Sequence, residues 1–157
     1  MTDNPYAAPS AAVVDAAHVA DTIRVYSPIQ VACGTIGGPV GLIYFLRANF
    51  VALGNYRLAR TTLVSGLVLI PALLISVVLL PENFPNYPFT IAYILAALYV
   101  SAKYQMTKRA IVESAAHDFQ SNWRVLWLGL LCLVGSIIVL VVPLGILAFF
   151  GVWDMGP

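Results

Sequence analysis

Long apolar runs, separated by short polar stretches, dominate the pattern of residues along the chain. Four such runs are bounded by charged residues and cover about residues 27–46, 61–80, 85–102 and 125–150. A helix needs roughly 20 apolar residues to cross the hydrocarbon core of a bilayer. The first, second and fourth runs contain no Asp, Glu, Lys, Arg or His. The pattern therefore predicts an all-α fold, an integral membrane protein with a four-transmembrane-helix bundle.

The polar stretches complete the predicted organisation. Residues 1–26 are rich in Ala and contain Pro, without a basic leader before an apolar core, so we expect a disordered N-terminal tail and no signal peptide. Residues 27–157 then form the four-helix transmembrane domain. The third run is the weakest, because its opening residues, 85–88, are typical of a loop; it crosses the membrane only if Lys103 snorkels to the surface.

The connection 103–124 is predicted to be an amphipathic helix. Its apolar residues recur at every fourth position, at Ile111, Ala115, Phe119 and Trp123. Lys108 and Arg109 are candidates for contact with anionic head groups of the inner leaflet. A plain connecting helix that covers its own protein is the alternative.

Composition changes the picture by excluding several classes of partner. Hydrophobic residues make up 61% of the chain and charged residues 10%, far from the averages of soluble domains. We therefore expect the chain to lie in a lipid bilayer. The net charge of +1 supplies no broad basic field, so no nucleic-acid partner is expected.

The distribution of positive charge predicts a topology. Seven of the eight basic residues fall in the connections 47–60 and 103–124, and the eighth is Arg24. The positive-inside tendency makes these two connections cytoplasmic, which places the N-terminus and the C-terminus outside in a four-span protein.

The stretch Cys33–Gly41, CGTIGGPVG, carries four glycines and a proline inside the first run. A dinucleotide-binding loop would need a glycine where Ile36 stands, so we exclude that interpretation. The spacing instead predicts helix packing at Gly34, Gly37, Gly38 and Gly41, with a functional break in the helix as the alternative. We expect helix kinks at Pro39, Pro71 and Pro143. Pro39 also leaves the carbonyl of Thr35 without its usual donor.

The sequence offers no recognisable reactive chemistry. Cys33 and Cys132 are expected to differ in depth by about 10 Å at 1.5 Å per residue, beyond the roughly 7 Å limit for a disulfide. His18 and His117 are predicted on opposite sides of the membrane, so they cannot share a metal ion. We therefore predict no catalytic residues, no metal, no cofactor and no enzymatic activity.

Several short motifs resemble a group of small, uncharacterised bacterial inner-membrane proteins. They are YSPIQ at 26–30, GGP at 37–39, and NF and ALG within 49–54. The N-terminal NPYAAP at 4–9 is similar to a tail shared by several otherwise different bacterial membrane proteins. The resemblance implies a multi-pass helical protein of the bacterial inner (plasma) membrane. A cytoplasmic tail in those proteins would require an odd number of spans or a re-entrant segment here.

Two functions remain open at this point. The first is helix–helix association, as a subunit, regulator or immunity-type protective partner of another membrane protein, or as a homo-oligomer. The second is a small transporter or channel with a path near the mid-membrane prolines. The absence of ionisable residues in the apolar runs favours the first, because coupled carriers place such groups within the bilayer.

Overall fold

A computed structural model describes residues 22–79, 85 and 87–151 of the chain. The fold is mostly helical, and its elements in chain order are β1 (Ile23–Val25), α1 (Pro28–Gly34), α2 (Gly38–Ala52), α3 (Tyr56–Leu79), α4 (Tyr87–Tyr104), α5 (Lys108–Glu113), β2 (His117–Phe119) and α6 (Asn122–Phe149). A 3-10 turn, Thr35–Gly37, joins α1 to α2. Most of the predicted disordered tail and the residues after 151 lie outside the described part.

Helices α1 and α2 fold back on each other as an antiparallel hairpin. The backbone N–H of Tyr26 donates to Asn49 Oδ1, and Asn49 Nδ2 donates to the carbonyl of Tyr26, both at 2.8 Å. A straight helix would hold these two residues about 35 Å apart at 1.5 Å per residue. The polypeptide therefore enters and leaves the hairpin at the same end of the bundle, which we call the hairpin base. The predicted straight span over residues 27–46 is not confirmed.

The turn of the hairpin follows from the glycine and proline that the sequence places there. Gly38 has φ +68° and ψ −155°, a conformation open essentially to glycine alone. Pro39 comes next, in the first turn of α2, where a missing N–H costs no helical hydrogen bond. The helix is thus interrupted before Pro39 rather than bent at it. The carbonyl of Thr35 accepts the N–H of Gly38 and does not remain free.

The hairpin occupies the centre of the molecule, and the long helices surround it. Helix α3 packs on α2. Helix α4 packs on both helices of the hairpin, and α6 packs on both of them and on the turn. In the described part, α4 has no extended contact with α3 or α6. The hairpin therefore holds the bundle together through one buried apolar cluster, which includes Tyr26, Val31, Leu42, Phe45, Leu46, Phe50, Ala59, Ala97 and Val125.

Three helical segments are long and apolar enough to cross a membrane. They are Pro28–Ala52, which contains the hairpin, Tyr56–Ser76 and Asn122–Phe149. The predicted third span corresponds to α4, which has 18 residues, carries Lys103 and several tyrosines, and is not among these three segments. The structure thus supports a helical membrane protein, but it does not confirm a bundle of four spans.

The connection between α4 and α6 departs from the predicted amphipathic helix. Only α5 is helical, and the residues after Ser114 turn and form strand β2. The hydroxyl of Ser114 lies 2.8 Å from His117 Nδ1 and 3.3 Å from the backbone N of Ala116. Such local side-chain bonds compete with helix formation, which explains why the apolar spacing alone misleads here.

Burial in the three long helices stops at the level of the hairpin turn. In chain order, Gly66 is the last buried residue of α3, Ala97 is the first buried residue of α4, and Ser136 is the last buried residue of α6. No residue whose burial is described is buried in 67–79 of α3, 87–96 of α4 or 137–149 of α6. We call these three segments the distal halves.

We predict that Gly38→Ala lowers the free energy of unfolding by about 1–3 kcal/mol, because a side chain is strained at this φ. The added methyl group would also lie 2.9 Å from Ser136 Oγ. Denaturation in mixed micelles, followed by circular dichroism, measures the change. Gly145→Ala is the matched control, since that glycine lies within α6 with open space around it and should lose no stability. Equal unfolding of the two variants would contradict the prediction.

Candidate functional site

A buried amide organises the hairpin base. Asn49 is 0% exposed, and its Oδ1 and Nδ2 pair with the backbone N–H and carbonyl of Tyr26. Asn49 Nδ2 also donates to Gln105 Oε1 at 2.7 Å, and Gln105 Nε2 donates to the carbonyl of Leu46 at 3.1 Å. The entrance of the hairpin, α2 and the end of α4 are therefore fastened at one level.

Gln30 fastens the start of α1 to the start of α6. Its Oε1 accepts the N–H of Ser27 at 3.0 Å, while Ser27 Oγ accepts the N–H of Gln30 at 3.3 Å, which forms a capping box. Gln30 Nε2 donates to the carbonyl of Gln120 at 2.7 Å and to Asn122 Oδ1 at 2.8 Å. One side chain thus caps α1 and joins it to the chain that leads into α6.

The two short strands place the entrance of the hairpin beside the connection between α4 and α6. β1 and β2 pair in parallel, with Ile23 opposite His117 and Arg24 opposite Asp118. Paired strands lie about 4.8 Å apart. The structure therefore brings together two segments that the charge pattern predicts on opposite sides of the membrane.

All eight basic residues consequently lie towards one end of the molecule. They are Arg24 in β1, Arg47 near the end of α2, Arg57 and Arg60 at the start of α3, Lys103 in the last turn of α4, Lys108 and Arg109 in α5, and Arg124 at the start of α6. The described residues of the distal halves contain no charged side chain. The charge asymmetry between the two ends of the molecule is thus larger than the sequence pattern predicts.

Tyr26 enters the hairpin base as a neutral aromatic group. Burial raises the pKa of its phenol above the ordinary value of 10.0, and Tyr44 adds to this while Arg124 partly offsets it. The ring meets Phe45 edge to face, with 5.1 Å between centroids. Its contribution to the site is therefore packing rather than charge.

The hairpin turn is closed by a hydroxyl of α6. Ser136 Oγ donates to the carbonyl of Gly37 at 2.5 Å and accepts the N–H of Val40 at 3.2 Å. Backbone outside a helix is tolerated at membrane depth only where protein or water satisfies it. Ser136, which is 4% exposed, supplies that satisfaction at the break.

Two of the predicted packing glycines contact α6. A methyl group at Gly37 would lie 2.7 Å from the Cβ of Cys132 and 2.8 Å from the carbonyl oxygen of Gly129. A methyl group at Gly38 would lie 2.9 Å from Ser136 Oγ. The backbones of the turn and of α6 therefore approach more closely than side chains would allow.

The other two glycines lie within the hairpin itself. A side chain at Gly34 would collide with the ring of Phe45, and one at Gly41 would collide with the carbonyl of Gly34. The four glycines thus serve two different contacts, one between α1 and α2 and one between the hairpin and α6.

The remaining predicted residues lie apart from these contacts. Pro71 and Pro143 lie inside α3 and α6, which continue past them. Arg109 Nε donates to Glu113 Oε1 at 2.7 Å on an exposed face, whereas Lys108 lines a polar cavity beside Gln30. Cys33 is exposed and Cys132 buried, and both are free thiols.

Chemical groups for catalysis or metal binding do not converge in the described part of the chain. Within it, no three His, Cys, Asp or Glu side chains lie close enough to hold a metal ion. Comparisons with models of protein families, with curated proteins and with solved structures found no match. The arrangement of amides, hydroxyls and small residues is suited to holding helices together.

The amides of the hairpin base are the main residues that sequence reasoning missed. The sequence pattern places Asn49 and Gln105 in polar connections, because they stand next to basic residues rather than inside a predicted span. The only sequence signal for a buried Asn49 is that apolar Phe50 and Val51 follow it. This signal is weak unless the hairpin is already known.

We predict that Asn49→Ala lowers the free energy of unfolding by about 2–4 kcal/mol, because it leaves the N–H and carbonyl of Tyr26 and the Oε1 atom of Gln105 without their partner. Denaturation in mixed micelles measures the loss. Asn55→Ala is the matched control: Asn55 is exposed, its Oδ1 caps the start of α3 by accepting the N–H of Leu58, and its removal should cost about 1 kcal/mol. Losses of the same size would argue against a special role for Asn49.

Proposed function

We propose that this chain acts by helix–helix association in a membrane, as a subunit, regulator or protective partner of another membrane component. The observation that carries the proposal is that no residue whose burial is described in the distal halves is buried. Large apolar side chains there, such as Ile75, Ile91 and Ile146, are each more than half exposed. Because the hairpin fills the bundle only up to its turn, these helices have free faces beyond it.

The proposal includes a topology with three crossings. Helices α3, α4 and α6 cross the bilayer, and the α1–α2 hairpin enters and leaves by the same face. Helix α4, with 18 residues, is about 27 Å long at 1.5 Å per residue, close to the thickness of the hydrocarbon core. The basic end is the cytoplasmic face by the positive-inside tendency. The strands and α5 therefore lie in the cytoplasm, and Pro85 lies outside.

The membrane in this proposal is a bacterial inner membrane, which the resemblance of the YSPIQ, GGP and NF motifs implies. If the tails of the resembling proteins are cytoplasmic, the same resemblance requires an odd number of spans or a re-entrant segment. The proposed topology has three crossings and a re-entrant hairpin, and it therefore agrees with a cytoplasmic N-terminal tail. The structural support for a cytoplasmic tail is the parallel pairing of strands β1 and β2, in which Arg24 lies opposite Asp118.

A transporter or channel has less support. Its path would begin at backbone carbonyls freed by Pro39, yet the carbonyl of Thr35 is bonded by Gly38 and that of Gly37 by Ser136. Residues 27–46, which contain this break, and residues 125–149 of α6, which packs on it, include no Asp, Glu, Lys, Arg or His.

We predict that a photo-reactive amino acid placed at Ile75, Ile91 or Ile146 cross-links to a second polypeptide in native membranes. The distal halves are the expected contact surface, because large apolar side chains there, such as Ile75, Ile91 and Ile146, are each more than half exposed. The measurement is the mass of the adduct on a denaturing gel. An adduct of twice the chain's mass would identify self-association, and any other discrete mass would identify a different membrane protein.

Matched control positions are Val64 on α3 and Leu131 on α6. Both are exposed apolar residues of the same helices, but they lie in the half that the hairpin fills. These positions should cross-link to lipid only. Absence of a protein adduct at all three distal positions, or equal adducts at the control positions, would contradict the proposal.

A further inference from the structure

An apolar groove runs between α1 and α6 on the surface of the bundle. Its volume is about 430 Å³, and it is lined mainly by Ile29, Cys33 and Ile36 of α1 and by Leu126, Gly129 and Leu130 of α6. Ile29, Ile36 and Leu126 are all more than half exposed, so the groove is open along its length. It lies in the half of the bundle that contains the hairpin, away from the distal halves.

A polar cavity continues this groove at the hairpin base. Its volume is about 480 Å³, and its lining includes Ser27, Lys108, Gln120 and Ser121. The groove and the cavity share Ile29, Gln30 and Asn122. Together they form one continuous surface that changes from apolar to polar as it approaches the basic end of the molecule.

The charge at the polar end is positive and unpaired. Lys108 is the one charged residue among those that line the groove and the cavity, and in the described part it has no ion pair. Its neighbour Arg109 is occupied by Glu113. Helix α6 begins at Asn122 beside the same cavity, and Ser121 makes no side-chain capping bond there. The positive end of the α6 dipole therefore adds to the charge of Lys108.

We infer that this surface binds one anionic glycerophospholipid, with an acyl chain along the groove and the phosphate beside Lys108. Charge complementarity selects an anionic head group, and the order of apolar and polar surface matches the order of tail and head in a lipid of the basic face. This inference goes beyond the proposed helix–helix association, because the groove is separate from the distal halves that carry that proposal. It also separates Lys108, which contacts the lipid, from Arg109, which does not.

Native mass spectrometry of the full chain in detergent tests the inference. The chain is titrated with phosphatidylglycerol or with phosphatidylcholine that carries the same acyl chains. We expect about fivefold greater retention of phosphatidylglycerol, the effect of one lysine near the head group. Lys108→Gln should abolish the preference, and Arg109→Gln should preserve it, although both remove one exposed positive charge.

A second pair of variants tests the groove. Gly129→Leu directs a side chain into open space within the groove and should reduce retention of both lipids, whereas Gly145→Leu lies on the same helix outside the groove and should not. Circular dichroism confirms that each variant is folded. Equal retention of the two lipids by the unmodified chain, or the same loss in Lys108→Gln and Arg109→Gln, would overturn the inference. So would unchanged retention in folded Gly129→Leu.

Discussion

Backbone polar groups that leave a helix inside an apolar bundle must find partners within the protein, because lipid offers none. This chain meets that constraint at the hairpin turn, where the hydroxyl of Ser136 bonds both Gly37 and Val40. The turn is therefore held at one point along α6, and Gly37 must lack a side chain to come so close. The hairpin and α6 form one packing unit, on which α3 and α4 assemble.

The same requirement explains the hairpin base. Asn49 satisfies the backbone of Tyr26, and Gln30 satisfies the chain that enters α6, so two buried or half-buried amides fasten four segments at one end. Positive charge collects at that end because every polar connection between the apolar helices, apart from the one between α3 and α4, returns to it. At the opposite end, no residue whose burial is described in the distal halves is buried. A bundle whose helices are hydrogen-bonded together at one end, and whose apolar side chains are exposed at the other, is suited to association with another membrane helix.

Hydropathy and length predict α3, α4 and α6 to within about five residues, since those properties decide which helices face lipid. They do not predict the hairpin, because the hydropathy of the 25-residue segment Pro28–Ala52 is the same whether the segment is straight or folded back. The fold-back depends on contacts between residues distant in sequence: Tyr26 and Asn49 are 23 positions apart, and Gly37 and Ser136 are 99. Charge counting alone does not predict that Arg24 lies beside Asp118, because it assumes that every apolar run crosses the membrane. The packing glycines were recognisable from their spacing, but the amides that fasten the base were not.

The central claim is that the entrance of the hairpin and the connection between α4 and α6 share one side of the membrane. Labelling with a membrane-impermeant thiol reagent tests it most directly, with single cysteines at Thr22, Pro85 and Ala116, all exposed, in a chain without Cys33 and Cys132. The account predicts that positions 22 and 116 are labelled only from the cytoplasmic face and position 85 only from the opposite face. Labelling of positions 22 and 116 from opposite faces would contradict the account and restore a straight first span.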